Sequence, residues 1–164
     1  MTTTLQKNLK SQITGTDILN IQSVAEALTG VLTDTYRLIL KSHTYHWNVT
    51  GPLFFSIHEM TEDHYTDMFA AADVLAERIR ALDRHAQVSL AGLTAGTGGQ
   101  DSDANLSAED MVRDLLADHE ALAQKMRALV LSAEAAGDPV TADLATERAA
   151  FHEKAAWMLR ATAF

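Results

Sequence analysis

Five residues of this chain are of types that bind a transition metal: His46, then His58, Glu62, Asp73 and Glu77 in one later stretch. Imidazole nitrogen with carboxylate oxygen suits iron, zinc or manganese. The chain has no cysteine, so thiolate sites and disulfides are not available. On a helix turning roughly 100° per residue, positions 58, 62, 73 and 77 fall within roughly 100° of one another. His58 with Glu62, and Asp73 with Glu77, are i, i+4 pairs whose members can share a ligand. The two pairs cannot serve one metal within a chain, because a helix rises roughly 28 Å from residue 58 to residue 77. Two antiparallel copies crossing near Asp67 and Met68 solve this, setting each His58/Glu62 pair against the Asp73/Glu77 pair of the other copy. A twofold dimer then holds two equivalent sites built from both chains. Ala70, Ala71 and Ala72 would permit close approach at the crossing, and His46 completes each site by packing beside His58. The plain alternative is a solvated acidic face with ordinary packed histidines.

The elements that must position these residues are helices, interrupted by only two prolines. A first segment from about Asp17 to Asn48 carries Val24, Leu28, Val31 and Leu38 at heptad-like spacing. Asn48-Val49-Thr50-Gly51-Pro52 stops it and restarts the chain. A second helix is expected from about Phe54 to Asp83. A stretch rich in Gly, Ser and Asp follows from Arg84 to Leu106, with one short helical turn expected at Ser89 to Leu93. Ser107-Ala108-Glu109-Asp110 opens the third helix with a capping-box pattern, and Met111, Leu115, Leu122, Met126 and Leu129 form its buried stripe. Asp138-Pro139 opens the fourth as N-cap and first helical residue. Leu144, Phe151, Ala155 and Met158 give that helix its apolar face. Residues 1–16 read as a flexible tail and 17–164 as one all-α four-helix bundle. Short links within each helix pair, and one long crossover between helices two and three, are the ferritin-like connectivity.

Asp and Glu number 22 against 13 Lys and Arg, a formal net charge of −9. An acidic surface suits a protein that gathers cations and opposes phosphate binding. No apolar run approaches the roughly 18 residues that span a bilayer. The polar stretch Met1 to Lys10 lacks the apolar core of a signal peptide, so a cytoplasmic location is expected.

His46-Trp47-Asn48-Val49 with Gly51 and Phe54, then His58-Glu59-Met60, then Asp73-Val74-Leu75-Ala76-Glu77-Arg78, closely resembles the signature of the Dps family of mini-ferritins. The resemblance extends over nearly the whole chain. It implies an inter-subunit ferroxidase centre, with His46, His58 and Glu62 on one side and Asp73 and Glu77 on the other. It also implies a dodecameric shell with tetrahedral symmetry, hydrogen peroxide (or dioxygen) as oxidant of Fe(II), and a stored ferric mineral. Paired iron would take both oxidising equivalents, so that little hydroxyl radical escapes. One departure stands out: the acid four residues after the second histidine is often Asp in the family and is Glu62 here, which bears on metal spacing.

Other residues have plainer readings. Trp47 follows a candidate ligand and reads as an interface anchor before a radical quencher. His43 lies i, i+3 from His46 and could be accessory; His64 lies near the ligands in sequence, and neither is taken as a ligand. Resemblance puts Asp138, Asp143 and Glu147 near the threefold openings of a shell, where carboxylates attract Fe(II); the alternative is ordinary first-turn acidity. His119, His152 and Glu153 read as surface or packing residues. Of the rival functions, DNA compaction would rest on Lys7 and Lys10 alone in the tail and is expected to be weak or absent. A conventional ferritin needs Glu-x-x-His pairs on facing helices, and the second helix has none. Zinc, which accepts the same ligands, is a possible competitor for the centre.

Overall fold

The computed structural model describes residues 17–94 and 102–163. Four long helices, α1 (Ile21–Asn48), α2 (Phe54–Ala81), α4 (Ala108–Ala135) and α5 (Pro139–Ala163), surround one core, and a short α3 (Leu90–Thr94) lies on the crossover. The expected tail, residues 1–16, lies outside the described residues. Contacts between helices fix their directions. Lys41 of α1 pairs with Asp118 of α4 at 2.6 Å, while Asp34 pairs with Lys125 at 2.5 Å, so α1 and α4 run antiparallel. Asp67 meets Arg148 and Arg78 meets Asp138, so α2 and α5 are also antiparallel. The α2-to-α4 connection therefore crosses the length of the bundle, as expected for one long crossover. Arg37 pins that crossover to α1 by donating to the carbonyl oxygens of Gly92 and of Leu93, the latter at 2.8 Å.

The apolar stripes follow the 3.6-residue period. Val24, Leu28, Val31 and Leu38 of α1 are buried, as are Met111, Leu115, Leu122, Met126 and Leu129 of α4. The first helix opens at Ile21 rather than at Asp17. Asn20 takes a left-handed conformation, φ 50°, and Leu19 N–H donates to the Ala136 carbonyl at 2.8 Å, so the incoming chain is held against the end of α4. At Ser107 the cap forms, with Oγ accepting from the Asp110 N–H at 3.1 Å. Asp110 reaches back to the Ser107 hydroxyl at 2.7 Å instead of to the backbone. Gly137, φ 72°, closes α4 where a side chain would be strained.

One expectation needs correction on α5. Its buried apolar residues are mostly small: Ala145, Ala149, Ala155 and Ala156 line the core with Leu159, while Leu144, Phe151 and Met158 are only partly buried. Small residues there let α5 approach α4 closely. Asp138 is fully buried. Its Oδ1 accepts from the Thr141 N–H at 3.0 Å and from Arg78 at 2.7 Å, and the Thr141 hydroxyl donates to Oδ2 at 2.5 Å. Burial alone would raise this carboxyl, but Arg78 and Thr141 outweigh it and hold it below the usual range. Asp138 is thus the expected N-cap and, in addition, an ion-pair anchor. Asp138→Ala removes the cap and strands the Arg78 charge, and should destabilise the fold by about 3 kcal/mol. Urea unfolding would measure this, and a loss below about 1 kcal/mol would show that the pair carries little of the α2–α5 contact.

Candidate metal centre

The turn between α1 and α2 brings residues 46 and 58 together. Gly51, φ 91°, makes the reversal at its centre. His46 and His58 then stack, with ring centroids 3.7 Å apart and planes 17° from parallel. Each Nδ1 lies 2.9 Å from the main-chain carbonyl oxygen of the other residue. A carbonyl only accepts, so both Nδ1 atoms carry a proton, and Nε2 is the nitrogen of each ring left to offer a lone pair to a metal. Holding the non-ligating nitrogen in this way is how metal-binding imidazoles are fixed in tautomer and orientation. Thr61 completes the support, its hydroxyl donating to the Ile57 carbonyl at 2.7 Å and lying 3.0 Å from that of His58.

Among the described residues, His46, His58 and Glu62 form the one group of three His or carboxylate side chains whose ligand atoms lie within 4.8 Å of one another. His46 is buried, His58 half-buried and Glu62 exposed, so the donors open outward. Asp73 and Glu77 are exposed on the same helix, farther along, and join no such group within the chain. The five residues therefore divide into three that converge and two that do not.

The outer face of α2 separates these sets. Between Glu62 and Asp73 stands Phe69, 63% exposed, with Phe55 and Val74 also exposed at either side. Met68 is fully buried and Asp67 is engaged with Arg148 of α5 at 2.6 Å, so Phe69 rather than Asp67 and Met68 occupies the free face midway between the pairs. Ala71 and Ala72 pack inside the bundle, which leaves Ala70 as the small residue on that face. Trp47 is 68% exposed and stacks on His43 with planes 3° apart, and His43 also touches Tyr65.

Three histidines not taken as ligands lie in the core. His64, His119 and His152 are buried on α2, α4 and α5, and Nδ1 of His119 lies 3.0 Å from Nδ1 of His152. The signal was their register. His119 sits in step with Leu115, Leu122 and Met126, and His152 in step with Ala145, Ala149, Ala156 and Leu159. Glu153, by contrast, is a surface residue paired with Arg127 at 2.5 Å.

Comparison with known proteins agrees with this architecture. The ferritin-like domain family matches residues 25–163. A DNA protection during starvation protein of Helicobacter pylori is 34% identical over 137 residues, which cover 83% of this chain and 95% of that protein. The Dps protein of Vibrio cholerae, described as a member of a broad superfamily of ferritin-like diiron-carboxylate proteins, superposes with a TM-score of 0.79. Its sequence identity is 30%, over 86% of this chain and 89% of that one. For a Dps protein of Bacillus brevis the TM-score is 0.81, the identity 33% and the coverage 87% and 95%. Sequence and fold together make this chain a member of the ferritin-like domain family, among the Dps proteins.

Proposed function

We propose that the chain oxidises Fe(II) at centres shared between two subunits and stores the ferric product inside a closed shell of identical chains. The observation that carries this reading is the pair of stacked imidazoles, each with Nδ1 held by a main-chain carbonyl, whose ligand atoms converge with one carboxylate. Three donors are too few to fill an iron coordination sphere. Asp73 and Glu77 of a second subunit supply the rest if α2 packs on a twofold-related copy, and the exposed stripe of Phe55, Phe69 and Val74 is the apolar surface such packing buries. The carboxylates favour Fe(III) over Fe(II) and so ease oxidation. With peroxide as oxidant, two Fe(II), one hydrogen peroxide and two protons give two Fe(III) and two waters, and no odd electron is left over. A dodecamer in the cytoplasm is part of the same reading. Asp143 and Glu147, exposed on the first turns of α5, remain candidates to draw Fe(II) toward its openings. No described helix is long and apolar enough to cross a membrane.

The test is anaerobic loading of the purified assembly with Fe(II), then peroxide, with absorbance followed in the ferric oxide band. Rapid oxidation in the parent and slow oxidation in an intact His58→Ala/Asp73→Ala shell is the expected result. Equal slow rates in both would reassign these residues to structure or to another metal.

The name of the Helicobacter pylori relative raises a second reading, DNA protection by direct binding. A net charge of −9 per chain opposes it, and the candidate contacts Lys7 and Lys10 lie outside the described residues. In a gel-shift assay at neutral pH and low salt we expect little or no retardation. Robust retardation would make DNA a partner and the acidic balance a poor guide.

A further inference from the structure

Three imidazoles meet inside the bundle, on the side of α2 away from the candidate centre. His119 of α4 and His152 of α5 are fully buried, and His64 of α2 is 5% exposed. Nδ1 of His119 and Nδ1 of His152 are 3.0 Å apart, and the His64 ring stands edge-on to that of His119 with centroids 5.0 Å apart. Nε2 of both paired rings and Nδ1 of His64 are buried without a hydrogen-bond partner.

Packing alone does not call for this arrangement. When two neutral imidazoles share one Nδ1 proton, one ring keeps a buried Nε2–H and the other a buried Nε2 lone pair. Each orphan costs about 1–3 kcal/mol, whereas leucine or phenylalanine would fill similar volume with none. Among the described residues no carboxylate hydrogen-bonds to the rings, and the charges of Asp63 and Asp67 act on His64 without outweighing its burial. On α5, the Arg148 guanidinium lies 4.3 Å above the Phe151 ring and pairs with Asp67 of α2. Burial, then Arg148 and His64, press the His152 imidazole down to about 3. Burial, then His152, keeps His119 well below its ordinary range. Both rings are neutral near pH 7 and present lone pairs.

We propose that His119 and His152, with His64 closing the set, form an all-imidazole metal site inside the bundle that takes a late first-row divalent cation, zinc ahead of iron. At a Zn–N length of about 2.05 Å, donors 3.0 Å apart subtend about 94° at the ion, and opening to about 3.3 Å reaches the tetrahedral angle. The proton shared between the Nδ1 atoms moves to the Nε2 that lacked one, so both neutral rings carry Nε2–H and turn their Nδ1 lone pairs toward a common point. The three histidines are not among the groups whose donors already converge within 4.8 Å, so rotation of the His64 ring is part of binding. The donor set decides the ion. Imidazole without carboxylate ranks zinc, copper and cobalt above Fe(II), and Fe(III) finds no oxygen ligand there.

The experiment uses the assembled His46→Ala/His58→Ala protein, which lacks both imidazoles of the candidate ferroxidase centre. Metal-free shells are titrated with Co(II) near pH 7, and its visible d–d absorption is read. Saturation at about one Co(II) per chain with an imidazole-type spectrum is expected. Adding His152→Gln should weaken binding at least about 100-fold while helicity and shell size stay unchanged. Absence of binding in the double variant, or a spectrum indifferent to His152→Gln, overturns the proposal and leaves packed neutral histidines. Should His152→Gln fail to assemble, zinc-edge X-ray absorption of the zinc-loaded double variant decides. Scattering from two or three imidazoles supports the site, and an oxygen-only shell rejects it. His152→Gln alone should oxidise Fe(II) at the parental rate, so failure here is distinct from failure of the ferroxidase reading.

Discussion

Co-assembled His58→Ala and Asp73→Ala subunits will recover rapid Fe(II) oxidation that neither variant shows alone. Each substitution removes one side of every centre, so shells of either variant should be slower by at least about 100-fold. In a mixed dimer both losses fall on one of the two centres, and the other is intact. Random pairing makes about half of all dimers mixed, which restores about a quarter of the parental centres. Stopped-flow absorbance on co-expressed, purified shells reads this directly. Mixed shells that remain inactive would mean that Asp73 does not face His58 across a dimer. A shared centre would then be untenable, because a helix rise of roughly 22 Å separates residues 58 and 73 within one chain.

Acid will loosen the bundle through its interior histidines. An unfolded histidine takes up its proton near pH 6.5, whereas burial first, then Arg148 and His64, hold His152 down to about 3 in the folded chain. The folded state therefore refuses a proton that the unfolded state accepts. This histidine costs no stability above about pH 6.5, and the deficit grows as pH falls toward about 3. At 1.36 kcal/mol per pH unit, it reaches about 3 kcal/mol at pH 4.5 and about 5 kcal/mol when complete. His119 of α4, His64 and Asp67 of α2, and Arg148 of α5 surround the group, and the two other histidines are depressed as well, chiefly by burial. Urea unfolding of the parent and of His152→Leu at pH 7 and pH 4.5 should show the parent losing about 3 kcal/mol more between the two. Parallel pH profiles would mean that the pair takes up its proton without loss of packing.

The sequence carried the bundle because its signals were local and repeated. Caps at Ser107 and Asp138, the Gly51-Pro52 break and the stripes of α1 and α4 each needed only neighbouring residues to be read. The ligand pairs on α2 were legible for the same reason, since i, i+4 spacing is a property of one helix. What was missed depends on other helices. Phe69, rather than Met68, faces outward because α2 turns Met68 into the core, and α5 buries alanines because α4 lies so close. Asp138 read as a simple cap because its Arg78 partner lies sixty residues earlier. His119 and His152 read as bland because each is alone on its own helix; with His64 they become a cluster only where α2, α4 and α5 meet.

The crossed bonds between His46 and His58 join ligand alignment to the end of a helix. The His46 carbonyl is among the last four of α1, which a helix leaves without an N–H partner. The His58 ring supplies that partner, and His46 returns the bond to His58. Two side chains are thereby frozen when the hairpin folds, and their rotational entropy is spent before any ion arrives. An arriving ion does not meet that cost again, about 1 kcal/mol for each ring. At the two imidazoles, capture is then governed by dehydration of the ion, and the ordering left to binding falls on the exposed Glu62.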